Sequence, residues 1–267
     1  MEVVARKLMS IIYGIHAVEE ALKARARGFE YVAVARERHD PRMQRVLEAC
    51  RATGVPVRQV PRDQLARLAQ TAAHQGVVAV ASEKRYTDVD DLLAHQRGAH
   101  TLLLVLDGIE DPHNLGAIIR TADAAGADGI ILPERRAVGV TATATKASAG
   151  AVEHLPIARV TNLTRTLEEL KQRNVWIVGL DERGTQEYTA LDYAMDCALV
   201  LGAEGKGVHE LVRKHCDFLV SIPMLGQVPS LNVSVAAGVV LFEMVRQRRA
   251  TSTAESRRHG NSSENKA

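Results

Sequence analysis

"TLLLVLDGIEDPHNLGAIIRTADAAGADGIILP", residues 101–133, sets the architecture of this chain. TLLLVLD (101–107) is a nearly unbroken apolar run, the pattern of a strand covered on both faces. A polar loop follows, then helical spacing from about Asn114 to Ala125, then a second apolar run, GIILP (129–133). Strand, helix and strand joined this closely form a crossover unit, which requires parallel strands. The alternation continues outward with a helix near Thr145–Glu153, strand LPIARV, a helix over 163–173 and strand VWIVGL (175–180). Strands CALVLG (197–202) and FLVSIP (218–223) precede a closing helix from 231 to about 248. The pattern predicts an α/β fold with a mainly parallel sheet and ligands at the carboxyl ends of its strands.

Toward the N-terminus the spacing predicts a smaller α/β unit. Helical segments GIHAVEEALKAR (14–25), PRMQRVLEACRATG (41–54) and RDQLARLAQTA alternate with strands YVAVAR (31–36), VPVRQV (55–60) and GVVAVAS (76–82). Residues 1–82 are thus expected to form one domain, 83–100 a polar, weakly helical linker and 101–249 the larger domain. Residues 250–267 have little that is apolar to bury and are expected to be a disordered tail. Met9-Ser10 resembles a second start, so residues 1–8 can be an extra strand, an extension or a misplaced start.

Bulk composition narrows the function. At 46% hydrophobic and 25% charged residues the chain reads as soluble, and no apolar run is long enough to cross a bilayer. The N-terminal apolar stretch is too short for a secretory signal, so a cytoplasmic protein is expected. Cys50, Cys197 and Cys216 form neither a CxxC pair nor a zinc ligand set, which points to reduced, structural thiols and no metal. The net charge of +2 conceals a basic N-terminal part, where 13 Lys and Arg stand against 8 Asp and Glu over residues 1–75. Such an excess suits a polyanion, while 3% aromatic residues exclude recognition by a row of stacked bases.

Three polar loops follow apolar strands. In the first, after residue 107, Asp111-Pro112 ends the strand, His113 or Asn114 can cap the helix, and Arg120 lies among Ile118, Ile119 and Ala122. A charge there must be paired, face a cleft or snorkel to the surface. The second, LVLGAEGKGVHE (199–210), has closely spaced glycines but neither a Walker loop nor a GxGxxG fingerprint, which rules against a nucleotide-dependent dehydrogenase. Glu204 within it would repel phosphate and should meet a donor or a cation. The third, SIPMLGQVPSLNVSVAAG (221–238), loads Ser230, Asn232 and Ser234 onto the entrance of an apolar helix. Ser230 suits an N-cap, while capping leaves Asn232 and Ser234 unexplained.

In this order and at this spacing, the loops resemble the three motifs of the SpoU/TrmH class of SPOUT RNA methyltransferases: Asn114-x5-Arg120, LGAEGKG and SLNVSVAAG. Residues from IYGIHAVEEAL to HQGVVAVAS resemble the substrate-binding domain of the two-domain members, whose fold is like ribosomal protein L30. Within the class, the chain is most similar to the bacterial 23S ribosomal RNA guanosine 2′-O-methyltransferases. The resemblance implies methyl transfer from S-adenosylmethionine to a ribose 2′-hydroxyl, a trefoil-knotted C-terminal domain and a homodimer. It implies a catalytic set of Asn114, Arg120, Glu204, Ser230 and Asn232. Cofactor binding falls to Leu180, Gly202, Glu204, Ile222, Met224 and Leu231, largely through backbone, with Ser234 a neighbour of the site. His16 and His74, in the N-terminal part, are expected to be structural or RNA-contacting. Related targets are a tRNA guanosine or a 23S adenosine, and a non-catalytic RNA-binding assembly factor is the alternative of another class.

Overall fold

A computed structural model describes residues 9–264 apart from 37 and 39, with side chains described as far as Thr251. Residues 1–8, whose nature the sequence leaves open, and residues 265–267 lie outside this description. Contacts divide the chain into two compact units. The first holds the residues up to Tyr86 together with 111–120 and 138–156, and the second holds 87–110, 121–137 and the residues from 157 onward.

In the first unit, β1 (Met9–Tyr13), β2 (Phe29–Ala35), β3 (Val57–Val60) and β4 (Val77–Ser82) form a mixed sheet in the order β1-β4-β2-β3. β4 is antiparallel to both β1 and β2, and β2 is parallel to β3. The short edge strand β1 is absent from the pattern-based expectation. Helices α1 (Ile15–Ala24) and α2 (Pro41–Thr53) supply Val18, Leu22, Val46 and Cys50 to the core on one face of the sheet. Helix α3 (Arg62–Ala69) brings Leu65 and Ala69 to the other. α2 shows how local sequence sets its ends. Asp40 accepts from Arg42 N and Met43 N, Pro41 opens the first turn, and Gly54 closes it at φ 69°.

In the second unit, α4 (Val89–Ala94) places Leu92 in the core and β5 (Leu102–Asp107) is buried along its whole length. α5 (Pro112–Ala124) leads to β6 (Gly129–Pro133). The expected helix near Thr145–Glu153 returns to the first unit and is instead α6 (Ala142–Ala147) followed by a separate 3-10 turn, Ala151–Glu153. Ala149 and Gly150 between them adopt positive φ, which ends an α-helix. Then come β7 (Ile157–Val160), α7 (Leu163–Gln172), β8 (Trp176–Leu180), the two-residue β9 (Gln186–Glu187) and β10 (Cys197–Gly202). α8 (Glu210–Arg213), β11 (Phe218–Ser221) and α9 (Val233–Glu264) complete the chain. α9 continues past 248, where the apolar pattern stops, through polar residues that hold no proline to break it.

The seven strands run parallel in the order β7-β6-β5-β10-β8-β11-β9. One device recurs at their starts. Asp128, just before β6, accepts from Leu102 N of β5 at 2.7 Å. Asp196, before β10, accepts from Thr101 N at 2.6 Å, and Asp217, before β11, accepts from Ile177 N of β8 at 2.9 Å. Each carboxylate satisfies an N–H that the adjacent strand would otherwise leave unpaired, which pins the register. At this same end Arg248 of α9 donates to the carbonyls of His100, Thr101, Tyr193 and Met195. The opposite, carboxyl ends are left to loops.

Candidate functional site

A cavity of about 280 Å³ opens at the carboxyl ends of β8 and β11. Leu180 and Asp181 line it where β8 ends, Ile222 and Met224 where β11 ends, and Gly205 to Gly207 from the loop after β10. Pro229, Ser230 and Leu231 complete the wall, with Ala236 of α9. Loops fill this wall because an open parallel sheet leaves room for ligands where its strands end. Four of the residues expected to hold a cofactor, Leu180, Ile222, Met224 and Leu231, therefore meet around one cavity, and Ser230 joins them.

Gly202 is the last residue of β10 and underlies the turn. A Cβ on it would lie 2.0 Å from the carbonyl carbon of Gly207. Gly207 N in turn donates to Ala203 O at 2.8 Å, and Gly207 itself has φ +65°, a region open to glycine at little cost. The glycines thus serve a turn folded tightly on itself. Gly202 and Glu204 are not in the cavity lining: the first is buried beneath the turn and the second stands exposed on it.

The entrance of α9 corrects the expected cap. Asn232, not Ser230, is the N-cap: its Oδ1 accepts from Ser234 N at 2.9 Å, and its carbonyl accepts from Ala236 N. The same Oδ1 accepts from Ser234 Oγ at 2.6 Å, which accounts for Ser234. Asn232 Nδ2 then donates to Glu204 Oε1 at 3.4 Å. So the expectation that Glu204 meets a donor is met by the second and third motifs touching each other, and Ser230 stays in the preceding loop.

Asn114 and Arg120 both ride on α5. Asp111, rather than His113 or Asn114, caps this helix, accepting from His113 N at 2.9 Å. Asn114 is buried and Arg120 exposed, as six residues of helical rotation separate their faces. A Cβ at Gly116 would lie 2.4 Å from Ala147 Cβ and 2.6 Å from Ala144 O, so this glycine lets α5 press against α6.

Two acidic residues escaped the sequence reading. Asp181 is buried, and Arg183 grips it through Nε at 2.8 Å and Nη2 at 3.1 Å. Burial opposes the Asp181 charge, but the hydrogen bonds and charge of Arg183 outweigh it and hold the carboxyl below its ordinary value. Asp107, likewise buried, accepts from His209 N at 2.8 Å and pairs with His209 Nδ1 at 3.0 Å. The available signal was positional, since TLLLVLD ends in Asp107 and VWIVGL is followed by Asp181.

The other candidates differ in burial and in partners. His74 is buried and accepts from Gly76 N, and burial, then Arg62 and Lys146, push its pKa down. His16 is exposed. Burial pushes the thiols of Cys50 and Cys197 up to about 11 and that of Cys216 up to about 12, so none is a ready nucleophile. Among the described residues no group of His, Cys, Asp or Glu is placed to hold a metal ion, and no helix is long and apolar enough to cross a membrane.

Residues 101–242 match the SpoU rRNA Methylase family, and residues 11–87 match the RNA 2′-O ribose methyltransferase substrate binding family. The 23S rRNA (guanosine-2′-O-)-methyltransferase of Ralstonia nicotianae is 48% identical over 89% of this chain and 96% of its own length. A TrmH-family protein of Bacillus subtilis, named for tRNA/rRNA methylation, is 46% identical over 89% of this chain and 95% of its own. The crystal structure of the SpoU methyltransferase AviRb of Streptomyces viridochromogenes, in complex with the cofactor AdoMet, is 27% identical and superposes with a TM-score of 0.77 over 91% of each chain. The motif loops, the seven-stranded parallel sheet and these matches lead to one conclusion: the chain belongs to the SpoU rRNA methylase family.

Proposed function

We propose that the protein transfers the methyl group of S-adenosylmethionine to the ribose 2′-hydroxyl of a guanosine in 23S ribosomal RNA. The observation that carries this reading is the contact of Asn232 with Glu204, made on the turn and helix entrance whose neighbouring residues wall the cavity. The Ralstonia relative supports the substrate, and the AdoMet-bound AviRb structure supports the cofactor. Leu180, Ile222, Met224 and Leu231 would hold the cofactor, with Gly202 and Glu204 shaping the turn beside it.

The sulfonium supplies an already activated methyl group, so the protein's task is to align the 2′-oxygen while its proton passes to water. In this reading Arg120 clamps the RNA phosphate and polarises the 2′-oxygen, since an arginine keeps its proton in proteins. Asn114, Glu204, Ser230 and Asn232 hold it and the ribose. Ser234 is a neighbour that steadies Asn232.

The reading includes a cytoplasmic homodimer with a trefoil-knotted C-terminal part. Val235 and Phe242, seven residues apart on α9, are 52% and 51% exposed, and Val239 lies between them on the same stripe. A two-fold partner presenting the same stripe would cover it. A Phe242→Asp variant that still sediments as the dimer would remove the stripe from the interface.

The deciding assay uses labelled S-adenosylmethionine with total RNA from a strain lacking the gene and from its parent. Label is expected in the first RNA alone, at one 23S guanosine. Label mapped to tRNA or to an adenosine would overturn the assigned target, and no label in any RNA would favour a binding protein. Arg120→Ala should abolish transfer while RNA still binds, and near-full transfer would end its central role.

A further inference from the structure

The first unit carries a second cavity, of about 600 Å³, that none of the roles above uses. It is lined by Tyr13 of β1, Thr71 after α3, His113 on α5, and Thr141, Thr143 and Lys146 at α6. No carboxylate is among the described residues that line it. Lys146 is the cationic centre. Its Nζ donates to Ala73 O at 2.8 Å and stands 5.3 Å from the centroid of the Tyr13 ring. Those contacts position the ammonium while leaving donors to spare, as it has three. The volume suits a group of nucleotide size. The walls offer hydroxyl and imidazole groups around one positive charge, the chemistry that phosphodiesters and ribose hydroxyls recognise. His113 directly precedes Asn114, so the cavity adjoins the first motif in sequence as well as in the fold.

We propose that this cavity is an RNA subsite, holding one sugar-phosphate unit of a single-stranded segment that flanks the modified nucleotide, with Lys146 on its phosphate. A paired helix cannot enter such a recess, whereas an unstacked nucleotide can. The subsite accounts for lining that comes from both the segment matching the substrate-binding family and the segment matching the methylase family. It rests on the reading of the protein as an RNA methyltransferase.

The test measures binding of an unmethylated 23S RNA transcript over a range of salt concentrations, with methyl transfer followed in parallel. Lys146→Gln should weaken RNA binding about tenfold, the loss of one charge-assisted contact. It should also make the logarithmic salt slope shallower by about 0.7, the release expected from one single-strand phosphate. Lys146→Arg should restore most of both. Thr143→Phe, which fills the cavity and keeps the lysine, should act like Lys146→Gln, and cofactor affinity should stay at the wild-type value in all three. Because Lys146 also holds the Ala73 carbonyl, a misfolded Lys146→Gln protein leaves Thr143→Phe to decide. Wild-type RNA affinity and salt slope in Thr143→Phe would overturn the subsite. Failure of the wild-type protein to methylate any RNA would refute the enzymatic reading, while the salt slopes would still judge the subsite.

Discussion

Asn232 does two things at once: its Oδ1 caps α9 by accepting from Ser234 N, and its Nδ2 reaches Glu204 Oε1 on the turn after β10. A single side chain thereby ties helix formation to the geometry of the glycine turn, at a position that the proposed mechanism also uses.

These roles separate by substitution. Asn232→Ala should lower stability by about 1 kcal/mol through the lost cap and also abolish methyl transfer. Asn232→Ser keeps a capping oxygen but cannot reach Glu204, so it should recover the stability without the activity. Urea unfolding and single-turnover transfer measure the two, and full activity in Asn232→Ser would show that the Glu204 contact is dispensable.

Gly202→Ala places a Cβ 2.0 Å from Gly207 backbone, where no flexible side chain can give way. Strain of this kind typically costs about 1–3 kcal/mol and must also displace the turn beside the cavity. Titration calorimetry should then detect no binding of S-adenosylmethionine. Gly226→Ala is the control, since nothing lies within 4 Å of the added carbon, and it should stay within about 0.5 kcal/mol of wild type.

Arg27 and Glu153 pair at 2.7 Å with side chains 3% and 0% exposed. Glu153→Gln leaves Arg27 charged and buried and should cost about 3–5 kcal/mol in urea unfolding. The double replacement Arg27→Met with Glu153→Leu should be far milder than the single change. Equal losses would mean that burial of the charge is not the cause.

Asp181 carries a pH signature. Its folded pKa is depressed, so the stability it contributes is present above the unfolded value, about 3.9, and is lost as pH falls through the lower folded value. Arg183→Gln removes the cause. Wild type should exceed this variant in melting temperature by a constant margin at neutral pH, and the margin should shrink below about pH 4. A margin that persists into strong acid would locate the arginine's effect elsewhere.

The sequence by itself marked the long buried strands, though not the short β1 and β9, and the polar loops that follow them. Leu102–Asp107, Trp176–Leu180 and Cys197–Gly202 fall on apolar runs read directly from the chain, because exclusion of water from both faces of a parallel strand leaves a local imprint. The polar loops that interrupt the pattern were legible for the same reason. Tertiary structure alone decided which polar residue does what. Ser230 and Asn232 are both good caps by type, and only the path of the chain into α9 selects Asn232. The order β7-β6-β5-β10-β8-β11-β9, the packing of residues 111–120 and 138–156 with the first unit, and the Arg27–Glu153 pair across 126 positions left no local pattern. Each depends on contacts between distant segments, whose geometry exists only once the chain has folded.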